Sequence, residues 1–441
     1  MVNLDLSKIK KVFFVGIGGI GISAIARMML LEGKEVFGSD ISMSGITDEL
    51  EKLGAKIVLG QAMELIPKDI ELVIYSISIT KYDPEFFKKL QNSNIQMLSY
   101  PETLGIVTAN KYTIAVSGTH GKTTTTAMIG KVLIEANKDP SVIVGSLLKE
   151  SKSNLIVGKS EYFVVEACEY ERSFLNIKPK ILVITNIEAD HLDYYKDLAD
   201  IESAFRDMAM QTDDFIVCNL SDVATSNILK KESKEKYRAK VVNYLEYLEK
   251  VPQLSVPGVH NRMDAACAMA VADILNIEEE VAQKALSEFS GTWRRLEKKG
   301  VTKEGAIVYD DYAHHPTEVK ASLEALRELY PKGDKNITVL FQPHLYSRTK
   351  ALFDEFVTCF DDADNVFLLP IFFARENPDP DISSDKLATA IRNHKGEATA
   401  FKDFETAEDY VRNLKLGEKD VFITMGAGEA YKVAEEVFKL V

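Results

Sequence analysis

The stretch SGTHGKTTTT, Ser117 to Thr126, concentrates the residue types that hold a polyphosphate. Glycines let the chain turn so that successive N–H groups point inward as an anion nest, and a helix opening directly afterwards adds the partial positive charge of its N-terminus. Lys122 supplies a local cation, and the Thr123 hydroxyl is placed for Mg2+. The common phosphate-loop formula, Gly-x-x-x-x-Gly-Lys-Ser/Thr, asks for glycine at position 116, where Val116 stands, so this turn is shorter. A β-branched run before it (Ile114–Val116) and a helical pattern after it favour phosphate binding over a solvated turn that carries a lysine.

A second glycine turn, GIGGIG at 16–21, carries the Gly-x-Gly-x-x-Gly pattern between a strand-like run and a helical one, and Asp40 closes the next strand-like run. That is close to a dinucleotide fingerprint and predicts a diphosphate at this turn, of NAD or of a nucleotide sugar. Glu166 ends YFVVE, and His191 ends NIEADH. Mg2+ prefers oxygen ligands, so Glu166 and Thr123 suit it, whereas His191 fits either a phosphate or a second, softer metal position. Arg294 and Arg295 follow a glycine in GTWRRLE, DDYAHHPTE at 310–318 offers acids and imidazoles, and FQPHLYSRT at 341–349 offers His344 and Arg348. Arginines brought to a phosphate from another domain stabilise the charge that develops in phosphoryl transfer. Of the seven histidines, all but His394 lie in such strand-end or turn clusters, GVHN at 258–261 among them, which points to a site built from several domains.

These clusters need elements that deliver them to common edges. Strand-like and helical segments alternate along the chain: Val12–Val15, Ile22–Leu31 (stopped by Gly33) and Glu35–Phe37; 71–79; 112–136; 161–170, 179–191 and 214–219; then 306–316, 336–344, 365–378 and 420–428. Alternation of this kind predicts parallel sheets covered by helices, with ligands at the carboxyl ends of the strands, where the polar clusters sit. The expectation is an α/β protein of three domains with mostly parallel sheets. They are a Rossmann-like N-terminal domain over 1–107, a central P-loop ATPase-type domain over 108–290 and a Rossmann-like C-terminal domain over 291–441.

Composition narrows the function. With 441 residues and 46% hydrophobic content the chain can build several cores. A formal net charge of −14 repels nucleic acid and anionic membranes, so a nucleotide site must gather its own cations. The four cysteines (Cys168, Cys218, Cys267, Cys359) are scattered without a C-x-x-C pair, which argues against structural zinc or a disulfide framework and predicts reduced, mostly buried thiols. The N-terminal apolar run, Val12–Ile17, is too short for a signal peptide or a spanning helix, so a cytoplasmic location without membrane insertion is expected.

In their order along the chain, GIGGIGISAIA, GSD, SGTHGKTTT, NIEADHLDYY, GVHN, DDYAHHPTE, FQPHLYSRT and GAGE resemble the Mur ligases from Gly16 to Glu429. The branch most resembled joins L-alanine to UDP-N-acetylmuramate in bacterial peptidoglycan synthesis, and the short ATP loop is a feature of the family. The resemblance implies ATP and Mg2+ as cofactors and UDP-N-acetylmuramate and L-alanine as partners. ATP would phosphorylate the lactyl carboxylate, and the amine of L-alanine would attack the acyl phosphate. Gly16, Gly18, Gly19, Ile20, Gly21, Asp40 and Ser76 would hold the UDP-sugar. Gly118, Thr119, His120, Gly121, Lys122, Thr123 and Thr124 would hold the ATP phosphates, with Asn186 near the transferring phosphate, His260 and Asn261 near the adenine, Arg295 on the γ-phosphate and Asp311 near the ribose. Thr123, Glu166 and His191 would hold metal, while Tyr312, His314, His344 and Arg348 would position the amino acid and the carboxylate under attack. The catalytic set is then Lys122, Glu166, His191, Arg295, His344 and Arg348 in a monomer or homodimer.

Four positions depart from the pattern. Cys168 replaces an acid beside the metal, Asp264 replaces the second Asn of His-Asn-x-x-Asn, Leu345 stands where Arg is common, and Arg206 stands where some related ligases carry a carbamylated lysine. A sister ligase that attaches a preformed peptide to the same sugar would use the same motifs. An NAD-dependent oxidoreductase would leave the second phosphate loop and the Arg/His clusters unexplained. A non-catalytic regulator would have no use for Lys122, Glu166 and His191.

Overall fold

The computed structural model describes residues 4–149, 151–229, 237–373 and 376–440. It contains three sheets, and most of their strands are short apolar runs buried on both faces, as parallel strands sandwiched by helices must be. In the first sheet β1 (Lys11–Val15), β2 (Glu35–Asp40), β3 (Lys56–Leu59), β4 (Leu72–Tyr75) and β5 (Met97–Ser99) lie in the order β3-β2-β1-β4-β5, all parallel. The glycine turn of residues 16–19 leaves β1 at the switch point between β2 and β4.

The second sheet has the order β12-β11-β10-β6-β9-β7-β8. Its strands are β6 (Tyr112–Ser117), β7 (Ser141–Leu148), β8 (Ser153–Ile156), β9 (Tyr162–Glu166), β10 (Ile181–Ile184), β11 (Phe215–Cys218) and β12 (Lys240–Asn243). Only β8 is antiparallel, hairpinned onto β7. The third sheet, β13-β14-β18-β15-β16-β17, is built from β13 (Glu297–Val301), β14 (Ile307–Asp311), β15 (Asn336–Phe341), β16 (Asn365–Leu368), β17 (Ala398–Ala400) and β18 (Asp420–Met425), with β13 antiparallel to β14.

The strand-like runs are trimmed by their polar ends. The run 71–79 leaves the sheet at Tyr75 and turns into the helix Ile79–Tyr82, and the run 161–170 stops at Glu166. The run 365–378 forms a strand only to Leu368 and pairs again at Phe372 in a single bridge to His344, and its Ala374 and Arg375 lie outside the described residues.

The chain forms two compact units, 1–252 with 264–286, and 253–263 with 287–441. The first holds the first two sheets. Its helix Ile20–Leu31 buries eight residues, Ile22 through Met29, on all sides. The reason is that the helix packs on its own sheet and also on β7 and β8, where the Asn154 amide donates to Ser23 Oγ (2.9 Å) and to the Ile20 carbonyl. In the second unit, β14, β15, β16 and β18 bury Tyr309, Val339, Phe341, Leu368 and Ile423 against the helices Pro316–Leu329 and Ser384–Lys395. Among the described residues, no helix is long and apolar enough to cross a membrane. All four cysteines are free; Cys218, Cys267 and Cys359 are buried as expected, but Cys168 is exposed.

Candidate functional site

The phosphate-type loop leaves β6, which is hydrogen-bonded to β9 on one side and β10 on the other. Val116 still belongs to that central ladder, opposite Glu166 and Val183, and is fully buried. The strand therefore occupies the position where a longer loop would place its first glycine, and the turn begins at Gly118. Gly118 adopts φ +137°, and a Cβ there would stand 2.1 Å from Thr185 Oγ1. Gly121 adopts φ +82° and lies against Asp264, 2.4 Å from a Cβ to Oδ1. No other residue type fits either place.

Residues just beyond β10 pin this loop. The Thr119 N–H donates to the Asn186 carbonyl (3.0 Å), and the His120 N–H to Asn186 Oδ1 (2.9 Å). Asn186 Nδ2 and Thr185 Oγ1 both donate to the His120 carbonyl, at 3.1 and 2.5 Å, and the Glu188 N–H donates to Thr119 Oγ1 at 2.8 Å. Asn186 thus shapes the loop with its own amide. His120 Nε2 lies 3.4 Å from Glu188. The helix Lys122–Glu135 starts where the loop ends and aims its N-terminus at the turn, with Thr123 and Thr124 buried in the first helical turn.

Lys122 is folded back onto the loop it serves. Its ammonium donates to the carbonyls of Gly118 (2.5 Å) and Thr119 (3.0 Å) and to Glu169 Oε1 (3.1 Å). Burial opposes the charge on Lys122, but Glu169 and more distantly Glu166 hold the ammonium charged above the ordinary lysine range. Burial likewise opposes the charge on Glu169, which is 3% exposed, yet Lys122 and then His191 bring it below the usual carboxylate range. Glu169 is the site residue the sequence did not single out: it follows Glu166 by three positions in EACE, and only the path of the chain beyond β9 shows that it turns inward.

Glu166 ends β9 beside β6, and its Oε2 accepts the Gly145 N–H at 2.6 Å. A Cβ on Gly145 would fill that cradle, 2.5 Å from Oε1. His191 is in the left-handed region at φ 54°, its Nε2 3.6 Å from Glu169 Oε1 and its ring 4.8 Å from that of Tyr170. Its Nδ1 is buried without a hydrogen-bond partner, and Glu169 Oε2 is buried with the Lys122 ammonium 3.1 Å away. Carboxylate oxygens on Glu166 and Glu169, the Thr123 hydroxyl and an unpartnered imidazole nitrogen on His191 are donor types that Mg2+ or a softer divalent cation accepts. Of the four departures from the family pattern, Asp264 is the best explained: it accepts a hydrogen bond from Thr125 Oγ1 (2.9 Å) and walls the loop at Gly121.

In the second unit, Arg295, Tyr312, His314, His344 and Arg348 come together. Arg295 packs over the Tyr312 ring (5.2 Å) and faces Glu318 at 3.9 Å. Tyr312 meets His314, which meets His344 at 5.9 Å, and His344 stacks on Phe372 and lies 3.4 Å from Arg348 Nη1. His260 belongs to this unit too, and burial pushes its imidazole down to about 4, which keeps it neutral at physiological pH. Asn261 donates to the Pro257 carbonyl at 2.6 Å.

The adjacent arginines are not equivalent: Arg294 is buried, bonded to Asp310 (2.7 Å) and to the carbonyls of Gly426 (2.7 Å) and Gly428 (3.1 Å), and so holds the GAGE turn. Asp311, expected near a ribose, is 4% exposed, with its carboxylate turned inward to Ser322 Oγ and the Ala313 N–H (3.1 Å). Leu345, at φ 71°, is 3% exposed and packed.

At the glycine turn of the first sheet, Gly16, Gly18, Gly19, Asp40, Ser76, Ser78 and Tyr82 help to line an open cleft of about 320 Å³. Asp40 Oδ2 accepts the Gly18 N–H at 2.8 Å, and Ser76 Oγ is 2.8 Å from Ser78 Oγ. Ile20 and Gly21 do not line the cleft; a Cβ on Gly21 would meet the Tyr100 ring at 2.8 Å, so the third glycine of the motif serves close packing.

Three family models match in chain order: the Mur ligase family catalytic domain over residues 11–112, the Mur ligase middle domain over 116–253 and the Mur ligase glutamate ligase domain over 294–428. The chain is 41% identical to the UDP-N-acetylmuramate–L-alanine ligase of Clostridium kluyveri, covering 98% of this chain and 99% of that one. It is 39% identical to the enzyme of the same name from Clostridium perfringens, covering 98% of each. Among solved structures, the UDP-N-acetylmuramate–alanine ligase of Thermotoga maritima matches with a TM-score of 0.79 and 27% identity over 97% of this chain and 98% of that one. A murein peptide ligase from Psychrobacter arcticus shares the fold at a TM-score of 0.70 and 20% identity, over 97% of this chain and 98% of that one. Matched by all three domain models and by these relatives from end to end, the chain belongs to the Mur ligase family.

Proposed function

We propose that this enzyme uses ATP to join L-alanine to the lactyl carboxylate of UDP-N-acetylmuramate through an acyl phosphate, a step in peptidoglycan precursor synthesis. The observation that carries the reading is the anion nest of Gly118–Lys122 at the head of a buried helix, with its own lysine, in a chain 41% identical to ligases of that name. A carboxylate resists attack by an amine, and phosphorylation gives it a leaving group. The lactyl carboxylate attacks the γ-phosphorus and ADP departs; the amine then attacks the acyl carbon, phosphate departs and the amine gives up a proton. Such chemistry needs positioning and charge neutralisation more than a protein nucleophile.

In this reading residues 1–107 hold the UDP-sugar at the cleft around Gly16, Gly18, Gly19, Asp40 and Ser76, residues 108–290 hold ATP, and residues 291–441 bring the amino acid. Loop N–H groups and Lys122 bind the phosphates, and Arg295 meets the charge that develops on the γ-phosphate. Thr123, Glu166 and His191 would hold Mg2+, which neutralises phosphate charge when bound. Neutral His260 and Asn261 would contact the adenine, and Tyr312, His314, His344 and Arg348 would orient the amine and the carboxylate. A cytoplasmic monomer or homodimer fits these substrates.

Release of ADP and phosphate, followed with UDP-N-acetylmuramate and a panel of L-alanine, L-serine, glycine and the cell-wall tripeptide, tests the reading. Turnover driven by L-alanine is the expected result. Turnover driven by the tripeptide alone would make this a peptide-attaching ligase, and cofactor reduction without ATP would overturn the ligase assignment.

A further inference from the structure

Glu169 has no task in the mechanism above, yet it is built into the nucleotide loop with unusual care. Its carbonyl accepts the Tyr195 hydroxyl at 2.5 Å. The chain leaving it passes through two successive left-handed residues, Glu171 (φ 52°) and Arg172 (φ 54°), and Arg172 is fastened to Asp200 at 2.6 Å. Two such non-glycine conformations in a row persist only where the surroundings impose them. The result is a carboxylate held with Lys122 Nζ 3.1 Å from each oxygen and His191 Nε2 3.6 Å from Oε1.

Lys122 has three N–H donors, and Gly118, Thr119 and Glu169 take all three. To reach a phosphate, the ammonium must leave these partners. The two carbonyls can be left to other donors, but Glu169 cannot be abandoned: a buried carboxylate stripped of its counter-ion is severely destabilised. Some other cation must arrive as the lysine departs. The oxygen best placed to receive it is Oε2, which is buried and has no hydrogen-bond partner to hold it once the Lys122 ammonium, 3.1 Å away, departs.

We propose that Glu169 is a cation-exchange position, which gives up the Lys122 ammonium for the divalent cation that arrives with the nucleotide and so releases Lys122 to the phosphates. The inference rests on the ATP-ligase reading and adds a residue to it. Metal-free ATP meets a lysine still tied down and two carboxylates, Glu166 and Glu169, facing its own charge. The metal complex of ATP brings the replacement cation with it. The preference for the complex is therefore carried by the Lys122–Glu169 pair as well as by direct metal ligation.

Calorimetric titration of ATP, with MgCl2 and with excess EDTA, into the wild-type chain and Glu169→Gln tests this. Glu169→Gln is expected to bind metal-free ATP about tenfold more tightly than wild type and to lose most of the advantage that Mg2+ confers. A second variant makes the opposite change: without nucleotide, Lys122→Met should bind Mn2+, read by electron paramagnetic resonance, about tenfold more tightly than wild type, because the carboxylate no longer has its ammonium. If either variant fails to melt cooperatively, the other decides. An unchanged ratio of Mg-ATP to ATP affinity in a folded Glu169→Gln protein, or no gain in Mn2+ binding in folded Lys122→Met, would overturn the exchange. Failure of the wild-type chain to bind Mg-ATP at all would instead sink the ligase reading on which it stands.

Discussion

Asn186 grips the backbone of His120 at both ends, accepting its N–H at 2.9 Å and donating to its carbonyl at 3.1 Å. The phosphate loop is thus clamped by a side chain from the strand beside it. Asn186→Ala should leave the His120 N–H without its acceptor, while the carbonyl keeps Thr185 Oγ1, and let the loop relax, at a cost of about 1–3 kcal/mol in stability. Asn186→Asp keeps the acceptor but loses the donor and adds a negative charge beside the nest. Steady-state kinetics should therefore show a larger rise in the KM for ATP with Asp than with Ala, although Asp is closer in shape.

The Lys122–Glu169 pair predicts a dissociation between stability and activity. Lys122→Ala should abolish ADP release and also destabilise the first unit by about 3–5 kcal/mol, since it leaves a buried carboxylate alone. Adding Glu169→Gln should recover most of that stability and none of the activity. Thermal melts of the single and double variants, run beside the ADP assay, check both halves.

Adjacent Arg294 and Arg295 should separate cleanly. Arg294 is sealed against Asp310, Gly426 and Gly428, so Arg294→Met should destabilise the second unit by about 3–5 kcal/mol. Arg295 rests on Tyr312 at a half-buried position, so Arg295→Lys should keep wild-type stability and lose about 100-fold or more in kcat. The chain has a single tryptophan, Trp293, next to both, and its fluorescence reports unfolding of this unit in urea.

Asp311 predicts a pH dependence. Burial pushes its carboxyl up to about 6, against the pull of Ser322. Unfolded, it would ionise near 3.9, so between pH ~4 and ~6 the folded chain keeps a proton that the unfolded chain releases. Its contribution to stability therefore falls as pH rises through that window, by about 3 kcal/mol at most, and the loss is complete above pH ~6. His260, held down at about 4 by burial, works in the opposite direction over much of the same range. Comparison of Asp311→Asn with wild type by Trp293 fluorescence in urea isolates the first effect: the variant should lack the decline between pH 4 and 6.

The parallel-sheet architecture was legible because strands buried on both faces leave unbroken apolar runs, as in Ile114–Val116 and Val339–Phe341. Short edge strands such as β3, with Leu59 63% exposed, and β17 carry no such run and were not foreseen. The phosphate loop was readable from residue type and order, since its glycines answer local backbone needs. Glu169 was not, because its inward turn depends on two left-handed residues after it and on Arg172 reaching Asp200. The family resemblance singled out Arg295 and grouped Tyr312 with His314, His344 and Arg348, but residue type and spacing alone could not show that Arg294 is sealed inside or that Asp311 turns inward; neighbouring residues at a strand end differ in which side of the sheet they face.

The helix Ile20–Leu31 is buried on all sides because β7 and β8 cover the flank that its own sheet leaves open. A fragment cut after residue 107 would carry that flank into water, with Ile22, Ile25 and Met29 among the residues at risk of exposure. Dissection studies that express the nucleotide-sugar portion by itself would then yield a sticky, aggregation-prone product, and the smallest soluble piece bearing this cleft would have to extend through Ile156 at the end of the β7–β8 hairpin.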